Sequence, residues 1–240
     1  MESSILLTAT SDEEGPDMQI GIVGGGKIGG NLARLWVTAG HDVVVGFSRD
    51  PAALDRRAAA VGAKAATAAE VAARGDVVVI SVPWATFGQA VTAIGGPAAL
   101  DGKVVIDTMN QFGRVNGEFA VLDLGGSSAA AVRAAEVPGA RWCKSFNTLT
   151  AGFLASAAGR TGQDRVAMFY ACDDDTAAPV VAGLITDAGF DPVRTGTLDR
   201  TEVGHQEPKG DLYGEEFHHD DAVAAVEKLR GTRPSGTGRP

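Results

Sequence analysis

Gln19-Ile20-Gly21-Ile22-Val23-Gly24-Gly25-Gly26-Lys27-Ile28-Gly29-Gly30-Asn31-Leu32-Ala33-Arg34-Leu35-Trp36 is the stretch that decides the fold of this 240-residue chain. Gln19 to Val23 is a short apolar run and reads as a strand. From Lys27 the period changes: Ile28, Leu32, Leu35 and Trp36 fall at i, i+4, i+7 and i+8, one face of a helix that Gly40 ends. Between the two sits Gly24-Gly25-Gly26-Lys27-Ile28-Gly29, a G-x-G-x-x-G in the register of a dinucleotide-binding turn. Gly24 permits the tight turn, Gly26 lets a pyrophosphate approach the backbone, and Gly29 lets the helix lie close on the strand. The helix N-terminus supplies amides and a positive dipole for the anion.

Outward from that unit the alternation continues. Strands are predicted at Asp42 to Val45, Ala63 to Ala66, Val77 to Val82, Lys103 to Ile106, Arg141 to Phe146 and Arg165 to Ala171. Helices are predicted at Pro51 to Val61, after the capping box Thr67-Ala68-Ala69-Glu70, near Ser127 to Ala135 and at Thr176 to Ala188. Val77 to Val82 shows no polar alternation, as expected of a parallel strand covered on both faces. The fold class is therefore α/β: a Rossmann-type, doubly wound, mainly parallel sheet with a small C-terminal extension. We expect a disordered tail at 1–17 (Met18 offers a second start), a Rossmann domain at 18–188, a small portion at 189–230 that closes the site, and a loose tail at 231–240.

Composition narrows the function. Net charge is −9, with 21 basic against 30 acidic residues, which argues against nucleic acid or an anionic membrane as partner. Val77 to Leu100 is long and uncharged, but Pro83, Gln89 and Gly95-Gly96-Pro97 interrupt it as a spanning helix. No signal-peptide pattern opens the chain, so a cytoplasmic location is expected. Cys143 and Cys172 are read as two separate thiols of a reduced protein, Cys143 as a small buried hydrophobe. Glu215-Glu216-Phe217-His218-His219-Asp220-Asp221 is read as the acidic start of a helix running to Leu229; vicinal histidines face apart on a helix, so no metal site is assigned.

The residues after the second strand choose the cofactor. An NAD site carries Asp or Glu there for the ribose 2′-OH. This chain has Val45-Gly46-Phe47-Ser48-Arg49. A hydroxyl and a guanidinium suit a 2′-phosphate, so NADP(H) is expected over NAD, with Arg56 or Arg57 lending further charge.

Five motifs occur in an order that resembles one family: Gly21 to Gly29, Ser48-Arg49-Asp50-Pro51, Val82-Pro83-Trp84, Val105-Ile106-Asp107-Thr108-Met109-Asn110, and Lys144-Ser145-Phe146-Asn147-Thr148-Leu149. The chain resembles the NADPH-dependent deazaflavin (coenzyme F-420) reductases and their relatives over about Met18 to Arg230. The resemblance implies direct hydride transfer between nicotinamide and the deazaflavin C5, with a C-terminal portion closing over the acceptor. Departures fall near the acceptor. The phosphate loop is one residue shorter than in archaeal members, Gln111 replaces a proline, and 204–214 carries extra charge around the family's Leu212-Tyr213-Gly214 close.

In open α/β sheets ligands bind beyond the carboxyl ends of the strands. The resemblance and that rule place Val82, Pro83 and Trp84 beside the cofactor. They place Met109, Asn110, Asn147, Thr148, Leu149 and Tyr213 at a small-molecule acceptor. Trp84 reads equally as a wall of the nicotinamide site or as core, and Asn110 as a ligand donor or an Asx turn. Asp107 reads as a loop-orderer and not a base. Alternatives to the deazaflavin are an imine, flavin or ferric-chelate reductase, and a redox sensor that binds NADP(H) without turnover. A homodimer is expected, because the C-terminal portion is too short for a separate domain.

Overall fold

The computed structural model describes residues 18–236. The expected tail at 1–17 lies outside the described residues, as do positions 237–240 of the C-terminal one.

Among the described residues, ten strands and eight α-helices follow one another in nearly regular alternation. β1 (Gln19–Val23), α1 (Lys27–Thr38), β2 (Asp42–Gly46), α2 (Pro51–Ala60), β3 (Lys64–Ala65), α3 (Ala68–Arg74), β4 (Val77–Ile80), α4 (Phe87–Ala93) and β5 (Val104–Asp107) form the first half. A hairpin of β6 (Phe112–Val115) and β7 (Glu118–Val121) then precedes α5 (Ala129–Glu136), β8 (Arg141–Ser145), α6 (Ala151–Ala157), β9 (Ala167–Cys172), α7 (Ala178–Asp187), β10 (Asp191–Gly196) and α8 (His219–Leu229). Eight strands make one sheet in the order β10-β9-β8-β5-β4-β1-β2-β3. The six from β8 to β3 run parallel. β9 runs antiparallel to β8, and β10 parallel to β9.

The strand faces explain the layers. Val77 and Val79 of β4 join Ile20, Ile22, Leu32 and Trp36 in one buried cluster, while Val78 and Ile80 join Val71, Phe87 and Trp142 in another. Helices α1, α2, α6 and α7 supply the first layer and α3, α4 and α5 the second. Successive residues thus point into two dry cores, which is why β4 reads as an unbroken apolar run. Trp36 ties the first layer together: its indole N–H donates to the Leu184 carbonyl at 2.8 Å, and its ring meets Phe146 edge-on.

One expectation changes. Cys143 and Cys172 are register partners across the antiparallel β8–β9 pair and form a disulfide; they are not separate thiols. A spacing of 29 residues hid this, because the antiparallel turn from β8 to β9 was not foreseen. β10, which follows position 188, belongs to the same sheet. The hairpin β6–β7, with its exposed Phe119, and α6 had no counterpart in the sequence reading. The helix start at His219 is as expected, with Asp220 and Asp221 in the first turn. Among the described residues no helix is long and apolar enough to cross a membrane, and no group of metal-ligating side chains occurs.

Candidate active site

Strand order reverses between β1 and β4: the chain runs outward through β2 and β3, then returns to pair β4 on the other side of β1. That reversal opens a crevice beyond the strand ends, and the glycine loop sits in it. Gly24 has φ +112, a conformation that disfavours any side chain, and a Cβ there would collide with the Ser81 carbonyl. A Cβ on Gly29 would strike the Gly24 carbonyl, so Gly29 is needed for close helix–strand packing. Gly26 differs from both: its φ is −74 and a Cβ would meet nothing within 4 Å. Its lack of a side chain therefore serves no internal packing and leaves open space at the N-terminus of α1. No side chain caps that terminus, and the first intrahelical bond runs from Gly30 N–H to the Gly26 carbonyl. The amides of the first turn are free for an anion. Lys27 stands exposed at the helix start.

Beyond β2, Phe47 adopts φ +63 and turns the chain into Ser48-Arg49-Asp50. The Ser48 hydroxyl donates to the Asp50 carbonyl at 3.0 Å, and the Asp50 side chain caps α2 by accepting the Ala53 N–H at 2.9 Å. Asp50 is thus committed to the helix and not to its neighbour Arg49. Arg49 is exposed. A groove of about 520 Å³ runs beside this turn, lined by Phe47, Ser48, Pro51, Leu54, Ala66 and Thr67 among others.

At the far end of the crevice the β5 and β8 ends converge. Asn110 and Asn147 exchange hydrogen bonds: Asn110 Nδ2 donates to the Asn147 carbonyl at 2.9 Å, and Asn147 Nδ2 donates to Asn110 Oδ1 at 3.1 Å. Asn147 Nδ2 also donates to the Gln206 carbonyl at 2.7 Å, and Asn110 Nδ2 reaches the Tyr213 hydroxyl at 3.3 Å. Asn147 is 3% exposed and its Oδ1 has no hydrogen-bond partner. A buried acceptor without a donor is costly. Gly214 N–H donates to the Thr148 carbonyl at 3.0 Å, so Tyr213 is held against the β8 end. Burial pushes the Tyr213 phenol above its ordinary value, and it stays protonated through the neutral range.

Behind these residues lies a charged interior that sequence reasoning did not assign. Lys144 and Asp107 are both fully buried, with Lys144 Nζ 3.1 Å from Asp107 Oδ2. Asp107 accepts the Met109 N–H at 2.7 Å, which is the loop-ordering role expected of it. Glu207 is also buried; it accepts the Ala130 N–H at 3.0 Å at the start of α5, and Arg200 lies 3.5 Å away. Burial pushes the Glu207 carboxyl up, opposed by the charge of Lys144. A signal was present: a lysine inside the apolar run Arg141 to Phe146, one strand from an aspartate, points to a buried pair.

The remaining candidates divide. Met109 is buried beside this pair, and Leu149 packs at the edge of the first core layer. Val82 and Trp84 belong to the second layer, and the Arg133 guanidinium stacks 3.6 Å from the Trp84 ring centre. Its ring is therefore engaged from one side by protein. Pro83 precedes the turn Trp84–Thr86. Gln111, where relatives carry proline, is buried with its Oε1 unpartnered and lines a cavity of about 340 Å³ with Leu122, Arg200 and Lys209.

Comparison with known proteins agrees with this geometry. Residues 19–111 match the family described as NADP oxidoreductase, coenzyme F420-dependent. A hypothetical protein of Sinorhizobium meliloti is 29% identical over 87% of this chain and 98% of its own, with a TM-score of 0.74. A protein of Arthrobacter sp. FB24, provisionally named an F420-dependent NADP-reductase, is 27% identical over 75% and 86%, with a TM-score of 0.65. An imine reductase from Myxococcus stipitatus, solved with NADP+, shares the fold at 18% identity over 88% and 59%, with a TM-score of 0.58. No curated protein matches. The chain thus has the Rossmann fold, and its residues 19–111 match the family described as NADP oxidoreductase, coenzyme F420-dependent.

Proposed function

We propose that the protein transfers hydride directly between NADP(H) and a planar acceptor, a deazaflavin of the coenzyme F420 type. The observation that carries this reading is the strand-order reversal with the glycine loop beside it. One end of the crevice has an uncapped helix over Gly26; the other has Asn147, buried with an unpartnered Oδ1. NADPH, when bound, supplies the hydride from its nicotinamide ring. The protein's own residues do the rest. The first-turn amides of α1 and Lys27 hold the pyrophosphate. Arg49, exposed beside the groove at Ser48, forks onto the 2′-phosphate. Asn147 and Asn110 orient the reacting rings through amide and carbonyl contacts, and Tyr213 closes the wall with a protonated hydroxyl. Residues 203–214, held to the β8 end by Gln206 and Gly214, exclude water from that end.

The contribution asked of these groups is proximity and orientation. The test is a side-by-side assay of NADPH oxidation with a deazaflavin, riboflavin 5′-phosphate and a cyclic imine. Turnover with the deazaflavin at the largest kcat/KM is expected. Turnover with the imine alone would leave the NADP reading standing and overturn the acceptor.

A further inference from the structure

Lys144 is a buried cation whose placement the hydride reading does not by itself require. It stands on β8 in direct register with Asp107 on β5, and both side chains are fully buried. Each spends its contacts on one residue of the β5 end. Asp107 Oδ1 accepts the Met109 N–H at 2.7 Å, and Lys144 Nζ donates to the Met109 carbonyl. Both backbone groups of Met109 are therefore held by opposite charges that also hold each other at 3.1 Å. Asn110 follows at once, and its side chain is matched to Asn147 by the reciprocal bonds at 2.9 and 3.1 Å. Asn147 lies three residues after Lys144, beyond Phe146 at φ +56. Gln206 Nε2 donates to the Lys144 carbonyl at 3.3 Å while its own carbonyl accepts from Asn147. The hydrogen bonds around the pair thus lead through Met109 and Gln206 to the two asparagines.

Stability is a poor reason for such a pair. Desolvating two charges costs about as much as their attraction returns, and an apolar replacement of both partners is often neutral or stabilising. What a buried pair gives that an apolar contact does not is direction: hydrogen bonds with fixed donors and acceptors. We infer that Lys144 and Asp107 form a buried clamp on Met109 that positions Asn110 and Asn147 at the reacting end of the crevice. Both are positioning residues, acting through the loop. The inference rests on the assignment of that end to the nicotinamide and acceptor, and on nothing at the adenosine end.

The test uses the full chain with both charges removed together, Lys144→Met with Asp107→Leu, beside Asn147→Ala. The first readout is the nicotinamide emission of bound NADPH, which needs no acceptor; the second is the kcat–KM split with riboflavin 5′-phosphate or the deazaflavin. The double variant is expected to fold and to bind NADPH within about threefold of the wild-type Kd. Its bound-nicotinamide emission should move toward that of free NADPH, as in Asn147→Ala, and kcat should fall at least about tenfold with acceptor KM within about threefold. Wild-type emission and kcat in the folded double variant would overturn the clamp. So would loss of NADPH binding confined to that variant. If it does not fold, Lys144→Met with Asp107→Asn carries the same expectation, since methionine has no N–H to hold the Met109 carbonyl. Failure of the wild-type protein to bind NADPH would instead overturn the proposed function.

Discussion

Replacing Gly26 with valine adds three carbons at the N-terminus of α1, and the surroundings determine what they cost. The backbone there has φ −74 and ψ −162, open to any residue, and a Cβ has no neighbour within 4 Å. Folding should therefore lose only the difference between glycine and valine as N-cap, about 0.5–1 kcal/mol. For a domain of this size that lowers Tm by no more than about 4 °C. Binding faces a different balance. The same open space is the approach of the pyrophosphate to the first-turn amides, and a branched side chain fills it. Losing two charge-assisted hydrogen bonds, at about 1.5–3 kcal/mol each, removes about 3–6 kcal/mol. That weakens NADPH by about 10² to 10⁴-fold. Equilibrium titration followed by NADPH fluorescence, with thermal unfolding of the same samples, measures both terms. A valine variant that binds NADPH within about threefold of wild type would show that no phosphate lies over α1. A collapse in Tm would show that Gly26 serves packing after all.

Arg49→Ala should weaken NADPH by about 1.5–3 kcal/mol and leave NADH almost unchanged; equal losses in paired titrations would refute the 2′-phosphate assignment. Asn147→Ala should lower turnover with little change in NADPH affinity, because Asn147 is assigned to the reacting end and not to the adenosine end, and steady-state kinetics beside an NADPH titration separates the two. Glu207→Gln should stabilise the protein near neutral pH. Burial raises the folded carboxyl above its ordinary value near 4.5, so the carboxyl's contribution is intact below that pH and is lost as pH rises through the folded pKa. The advantage of the amide over wild type should therefore shrink as pH falls through the folded pKa and level off below about 4.5. Urea unfolding at pH 4 and pH 8 decides it, and a gap that widens on acidification would contradict the sign.

The nucleotide half was legible because its signals are local. A strand, three glycines in register and a helix face lie within eighteen residues, and each glycine has its own steric reason. The reading of Ser48 and Arg49 as a 2′-phosphate site rests on the same kind of local signal, since they follow β2 at a place the fold specifies. The reacting end was legible only as a set of motif residues. Asn110, Asn147 and Tyr213 come from three distant segments, and nothing in their spacing says that they touch. The Lys144–Asp107 pair and the Cys143–Cys172 bridge were missed for one reason. Each depends on which strands are neighbours and in which direction they run, and the reversal of β9 against β8 leaves no mark in the apolar pattern. Trp84 shows a different limit: an aromatic residue after a strand suits a ligand wall and a core equally, and only the Arg133 stack shows which neighbour one face of its ring has.

The most direct test of hydride transfer at this crevice is isotopic. NADPH carrying deuterium at the transferable C4 position is mixed anaerobically with the protein and an oxidised deazaflavin, and the reduced product is examined by mass and NMR. Direct transfer predicts one deuterium at C5 of the product, with loss of NADPH absorbance in equal amount and no label in solvent. Unchanged NADPH absorbance, or label appearing in water, would contradict it.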